Sequence, residues 1–518
     1  MCMNTFLYCQ YPCCIGQVRF IVATFALLAV MVGFAQHASM SIAIVEMVDS
    51  QMKNASCFDS AFLHVPNMEL NISGERMKWS EIEQGFNLAA FYIGYVITTI
   101  PAGILCDKYG ARYVLLSATL LSSLATVLIP IGASMARWWE VCILRVVKGL
   151  GQGAIFPCVS SLISRWIPPL ERSTVVAAVF AANSIGIVLG YTCTGLLIYY
   201  WGSWPVAFYF WAGVGLLYSL LYGVYVFSDP QTHPQLHKSE FDYLAKTMVM
   251  KKSIGTPYKL IFQDRCVYGL IICQMGHDLL LYTLINNFPK YLNQVLGFNI
   301  MENSLMGLLF LLLWVSGFFG GMLADFLITK KNISVTLIRR LYTSTSNLGS
   351  YLFVCFAVIA RCRMEYAITS FAVAIFLKGF FYTGGFANII DISVHHTGFI
   401  ISLINLLGAT MGVTCSTMIG FLAQHNTIEE WELIVAVMGL FEVMSILLYF
   451  ALSTARRRDW DYAEDEEMEP RPLQKRWYKH LSDSDHELRM EEERRAHEVL
   501  KENARTARAQ MKEDIRNR

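Results

Sequence analysis

Residues 143–153, ILRVVKGLGQG, put two full positive charges, Arg145 and Lys148, into a run that otherwise reads as membrane-spanning helix, VCILRVVKGLGQGAIFPCVSSLI. Near a bilayer centre each costs roughly 2.5–3.5 kcal/mol on insertion scales, so the chain must gain something by burying them. Helical spacing sets Arg145, Lys148, Gly149 and Gln152 on one stripe. A guanidinium is always protonated and offers a planar fork that matches carboxylate or phosphate. Arg145 is therefore the candidate anchor for an anion; the alternative is an ion pair within the bundle. Lys148 has three readings: a second charge for a divalent anion, a partner for an acid such as Glu442, or a side chain that snorkels outward. Lys378 is open in the same way. Gly149 and Gly153, four apart, allow another helix to approach closely.

Two histidines stand in apolar surroundings, His37 in FAQHASMSIAIVEMV and His277 in QMGHDLLLY. A histidine titrates near neutral pH, so each is a candidate hydrogen-bond donor to an anion or a proton-sensitive gate; the plainer reading is a satisfied buried polar residue. A sodium ion needs oxygen ligands, and Asp278, Asn287 and Asn405 are candidates, alongside Asn87, Asn286 and Ser402. The cysteines have no zinc-like spacing, so no metal centre and no cofactor are expected beyond a coupling ion. No HExxH, GxSxG or paired catalytic carboxylates occur in a plausible setting, which argues against an enzyme.

These residues need a bilayer-spanning frame to hold them. The 518-residue chain is 55% hydrophobic and 16% charged, too apolar for a soluble domain of this length. Its net charge of +1 gives no field for nucleic acid. Apolar stretches of about 20 residues recur, the length that crosses a bilayer. The expected architecture is an all-α membrane protein with twelve transmembrane helices at 20–47, 82–105, 113–134, 140–163, 174–198, 206–227, 266–288, 303–325, 341–360, 366–387, 398–422 and 432–453. Lys and Arg concentrate in alternate loops, as at Lys108, Arg112, Arg165, Arg172, Lys251, Lys252, Lys330 and Lys331, so both termini are expected in the cytosol. The first outer loop, 49–80, carries two glycosylation sequons, at Asn54 and Asn71. A third, at Asn332, falls in an inner loop and should be unused.

The organisation follows: an N-terminal segment 1–19, a six-helix half 20–227, a polar central loop 228–265, a second six-helix half 266–455, and a charged tail 456–518 without an apolar seam. The N-terminus lacks the pattern of a cleaved signal peptide. Cys13 and Cys14, just before the first span, are either palmitoylated or plain thiols. GILCDKYGAR after span two and GGMLADFLITKK after span eight echo each other, with Asp107, Arg112 and Asp325 as a candidate cytosolic gate or as simple caps and topology signals.

The stretches FYIGYVITTIPAGILCDKYGAR, RVVKGLGQGAIFPCVSSLISRWIPPLERS, FPKYLNQVLGFNIMENSLM, GGMLADFL and NIIDIS, in order from about residue 19 to 460, resemble a known family. It is the group of major facilitator anion transporters that includes sodium–phosphate cotransporters, sialin and the vesicular glutamate transporters. GHD before NNFPKYL is most similar to insect proteins described as inorganic phosphate cotransporters. The resemblance implies a secondary transporter of small anions that works by alternating access between its halves, in the plasma membrane or an endolysosomal or vesicle membrane. It also implies an anion-binding arginine at Arg145. Proton-coupled relatives carry a glutamate where this chain has Gln152, and glutamate-transporting relatives carry arginines where it has His37 and His277. These departures weigh against proton coupling through residue 152 and against glutamate as substrate. The expected function is sodium-dependent inorganic phosphate cotransport; the alternatives are an organic-anion carrier, or a channel-like or receptor-like protein without coupled transport.

Overall fold

A computed structural model describes residues 18–49, 76–135, 137–234, 236–247, 256–331, 333–393 and 396–462. The N-terminal cysteines, the sequons at Asn54, Asn71 and Asn332, and the tail beyond Tyr462 lie outside the described residues.

Among the described residues, eleven helices are long and apolar enough to cross a membrane. They are α1 (Val18–Met47), α2 (Glu81–Tyr109), α3 (Ala111–Ser134), α4 (Trp138–Trp166), α5 (Pro169–Trp201), α6 (Trp204–Tyr225), α7 (Arg265–Asn286), α8 (Ile300–Lys331), α10 (Met364–Ile392), α11 (Thr397–Leu422) and α12 (Ile428–Leu452). The ninth expected span is α9, residues 335–359; its first part, VTLIRRLYTSTSNLGS, is too polar for it to stand among the eleven, and a π turn, Thr345–Gly349, divides it into Val335–Ser344 and Ser350–Ile359. A second π turn, Tyr382–Phe386, interrupts α10. Single π turns inside α-helices occur often at functional sites.

Local sequence explains where the helices begin and turn. Ser80 with Glu83 and Thr427 with Glu430 form capping boxes that start α2 and α12. The Asp264 side chain accepts from Cys266 N and starts α7. Gly110 at φ 85° makes the tight corner between α2 and α3, where a side chain would be strained. The central loop also takes part: Glu240, in the short helix Lys238–Thr247, accepts from the backbone N–H groups of Val18 and Arg19, both at 3.1 Å, and so caps α1.

Small residues set the helix spacing. A Cβ on Gly149 would lie 2.0 Å from Phe91 O, on Gly94 2.0 Å from Val146 O, and on Gly153 2.4 Å from Tyr95 O. The glycines of α4 therefore admit α2 to backbone contact. Outward-facing apolar side chains such as Leu440, Leu220 and Ile104 stay exposed; in a bilayer they meet lipid.

Helices from the two ends of the chain join near the start of α2. Glu81 pairs with Lys290, in the short helix Phe288–Gln294. Gly85 and Gly420 touch, Gly195 of α5 lies against Ser304, and Gly307 lies against Tyr191. Tyr191 Oη donates to the carbonyls of Leu284, at 3.4 Å, and Ile285. Burial pushes the Lys290 amine down to about 7. At the other end, ion pairs run within neighbouring segments: Arg165–Asp229 at 3.0 Å, Arg339–Asp391 at 2.7 Å and Arg458–Asp264 at 2.6 Å.

Gly149→Val forces α2 and α4 apart and is expected to cost about 1–3 kcal/mol by overpacking, read as a lower melting temperature of the purified protein in detergent. Gly103→Ala, whose Cβ would meet nothing within 4 Å, should leave it unlowered.

Candidate functional site

A cavity of about 120 Å³ lies between α1, α2, α4 and α5 on one side and α7, α8, α10 and α11 on the other. Its polar lining comes from both sides: His37, Tyr92, Tyr95, Gln152 and Asn183 face Gln274, His277, Asp278, Tyr282, Tyr382 and Asn405. Five of the sequence candidates, His37, Gln152, His277, Asp278 and Asn405, thus meet on one wall system.

Tyr92 ties the two sides together. Its hydroxyl is 3.1 Å from His37 Nε2 and accepts from Asn286 Nδ2 at 2.9 Å. His37 also packs on Phe91 with ring centroids 4.2 Å apart, and its Nδ1 has no hydrogen-bond partner. Opposite, His277 stacks on Phe381 at 3.9 Å, and its Nδ1 is likewise without a hydrogen-bond partner. Both imidazoles line the cavity. Asp278 accepts from Gln274 Nε2 through both oxygens at 3.0 Å. A Cβ on Gly408 would come within 2.0 Å of its Oδ2, so glycine is what lets α11 sit over this carboxylate. Asn405 lies one turn earlier on α11.

The two cations of α4 sit behind the wall. Arg145 is fully buried; its Nε donates to Asn87 O at 2.6 Å and its Nη2 to Leu88 O at 3.3 Å. Its guanidinium carbon is 5.7 Å from the centroid of Phe91, a cavity residue, and its Nη1 has no hydrogen-bond partner. Lys148, also fully buried, donates to Gln36 O at 2.7 Å. Among the described residues neither has a carboxylate within 4 Å, so Lys148 takes a backbone carbonyl and not Glu442. Gln152 donates to Gln36 Oε1 at 3.3 Å and Ser122 Oγ at 3.1 Å, which closes a neutral polar network around the lysine.

The remaining candidates stand apart. Asn287 is buried but does not line the cavity, and its Nδ2 lacks a hydrogen-bond partner. Arg112 donates to Gly223 O at 2.6 Å, and its guanidinium lies 3.9 Å over the Phe227 ring. Asp325 is exposed, with no ion pair among the described residues. The Asp107 side chain lies outside the described residues, although its backbone belongs to α2. The sequence reading missed the tyrosines of the cavity. Tyr92 and Tyr95 were readable as an i, i+3 pair of hydroxyls in FYIGY, but only their cross-cavity partners distinguish them from lipid-facing tyrosines.

Residues 25–359, more than half of the chain, match the Major Facilitator Superfamily, and the chain belongs to that superfamily of membrane transporters. It is 29% identical over 464 residues to a Drosophila melanogaster protein named "Putative inorganic phosphate cotransporter", covering 87% of this chain and 88% of that one. It is 26% identical over 458 residues to Sialin of Homo sapiens, covering 86% and 91%. A bacterial homolog of the human lysosomal transporter Spinster, solved in an inward-facing and occupied conformation, shares the fold with a TM-score of 0.64 at 13% identity, over 84% of this chain and 96% of that chain.

Tyr92→Phe strands His37 Nε2 and Asn286 Nδ2 in a buried setting, at about 1–3 kcal/mol per unpaired group. The expected result is a lower melting temperature that Tyr95→Phe does not reproduce.

Proposed function

We propose that the protein is a secondary active transporter of small anions, inorganic phosphate first among them, driven by sodium. The observation that carries the anion reading is the pair Arg145 and Lys148: fully buried, held by backbone carbonyls, and without a carboxylate partner among the described residues. Two uncompensated cations in a low-dielectric interior are costly. An anion in the adjoining cavity offsets that cost, and the low dielectric lengthens the reach of their field. Arg145 keeps one donor, Nη1, unengaged, with Phe91 between it and the cavity. In this reading, movement of Phe91 brings the fork to the anion, and His37 and His277 supply further hydrogen bonds. The relatives named as phosphate cotransporter and sialin support an anion as cargo.

For the cation we propose Asp278 with Asn405, which share the cavity wall on neighbouring turns of α7 and α11. Alternating access then amounts to breaking the Glu81–Lys290 end while the opposite end closes. We take the Glu81–Lys290 end as the non-cytosolic one. Cys362, in the turn between α9 and α10, is disulfide-bonded, as suits an oxidising compartment. Arg361 beside it pairs with Glu432 of α12, near the Lys290 helix.

Radiolabelled phosphate uptake into proteoliposomes, with and without an inward sodium gradient, tests this. Sodium-stimulated uptake is expected, together with at least a tenfold loss in Arg145→Ala protein that still inserts and folds. Sodium-independent uptake, or robust uptake of an organic anion with none of phosphate, overturns the phosphate–sodium reading. Currents without substrate stoichiometry favour a channel.

A further inference from the structure

Behind His277, away from the anion side, lies a second buried polar cluster that the reading above does not use. One turn of α7, residues 273–277, is its hub. Asn347 Nδ2, from the π turn of α9, donates to Cys273 O at 3.2 Å. Lys378 Nζ, from the last turn of α10 before its own irregularity, donates to His277 O at 3.1 Å. Glu442 of α12 points at the same turn: a Cβ on Gly276 would lie 3.2 Å from its Oε2. Glu442 has no accessible surface, and neither carboxylate oxygen has a hydrogen-bond partner.

That arrangement does not suit a carboxylate anion. An ionised carboxylate accepts several hydrogen bonds, and stripping it of all of them in a dry interior costs several kcal/mol. The nearby ammonium of Lys378 is spent on a backbone carbonyl and lies beyond 4 Å. Ser445 Oγ, one turn on, donates to the Glu442 backbone carbonyl at 2.8 Å and not to its side chain. The other titratable or charged groups whose charge reaches Glu442 are Cys273 and Asp278 of α7 and Tyr351 of α9, while His277, on the same turn of α7, lies with its ring against Phe381. The only titratable side chain of α11 is Cys415, and Arg339 and Arg340 are held at Asp391 and at Ser453 O, nearly three turns from Glu442 along α12.

We propose that Glu442 is a proton-binding site of the transport cycle, neutral in this conformation and ionised when helix movement brings Lys378 or water to it. The step is a plain proton exchange with water: the carboxylic acid O–H bond breaks on release and re-forms on uptake, with no other group oxidised or reduced. The consequence is electrostatic. Arg145, Lys148 and Lys378 are the fully buried cations, and Asp278 and Glu442 the buried acids, of this region. Neutralising Glu442 removes one negative charge near the cavity, so proton binding and anion binding favour each other, and by linkage the effect is mutual. The chain lacks a titratable side chain at Gln152, and this site supplies one in the opposite set of helices. This rests on the transport reading for its role, but not for its detection.

The test has two arms. Infrared difference spectra of the purified protein, recorded between acidic and alkaline buffer, should contain a protonated-carboxyl C=O band near neutral pH that Glu442→Gln removes and Asp278→Asn leaves. This arm needs no transport. In proteoliposomes, phosphate uptake by the unaltered protein should change several-fold between pH 6 and 8 at fixed sodium gradient, and Glu442→Gln should flatten that profile while sodium stimulation persists. Should Glu442→Gln not fold, Lys378→Met, which leaves the acid in place, should retain the band. Absence of a Glu442 band, or an unchanged pH profile in folded Glu442→Gln protein, overturns the proposal. Absence of phosphate uptake by the unaltered protein, with the band present, overturns the phosphate reading alone.

Discussion

Two buried cations without a counter-charge are the constraint around which the rest is arranged. Arg145 and Lys148 stand one turn apart on α4, and the surrounding helices answer them with carbonyl oxygens from α2 and α1. A carbonyl satisfies a donor but does not cancel a charge. Phe91 and Gln152 line the cavity on the side of α4, and His37 and His277 line it too. Across the cavity the wall carries Asp278, and behind it Glu442 and Lys378 are buried together.

The glycines serve the same end. α2 reaches the carbonyl-to-guanidinium distance only because Gly94, Gly149 and Gly153 remove the side chains between the two backbones. α11 covers Asp278 only because of Gly408. The π turn of α9 contains Asn347, whose amide reaches the buried cluster at Cys273 O, and the π turn of α10 begins just past Lys378. Closure near the start of α2 depends on small residues at Gly85, Gly195, Gly307 and Gly420, together with one partly exposed ion pair, Glu81–Lys290. The same end also holds an apolar cluster continuous through both sets of helices, with Val188 and Tyr191 beside Leu284, Ile285 and Phe310, so parting there would expose apolar surface as well as break the ion pair.

Much of this was legible in the sequence because bilayer insertion leaves few options. Runs such as residues 20–47 and 432–453 have no alternative to a spanning helix, and the observed α1 and α12 match them closely. The Arg145–Gln152 stripe was legible for the same reason: helical period and apolar context fix its direction. α9 was the weak case, since Arg339, Arg340 and the polar run YTSTSN interrupt its apolar signal. What the sequence could not convey was pairing across helices. Nothing in FYIGY indicates that Tyr92 joins His37 to Asn286, and nothing near Glu442 distinguishes a partner of Lys148 from a neighbour of Lys378. Those facts depend on the relative placement of helices hundreds of residues apart. Arg145 was read as an anion anchor or as half of an ion pair within the bundle; the structure sets it behind Phe91, on backbone carbonyls and with no ion pair among the described residues.

If the uncompensated charge of α4 makes the cavity selective for anions, the purified protein binds them at equilibrium. Equilibrium binding of radiolabelled phosphate to the purified protein, compared with its Lys148→Met variant over a range of ionic strength, tests it most directly. Saturable binding, displaced by other small anions, weakened by salt and reduced at least tenfold in Lys148→Met, is the result expected. Absence of saturable anion binding, or equal affinity in the two proteins, would contradict it.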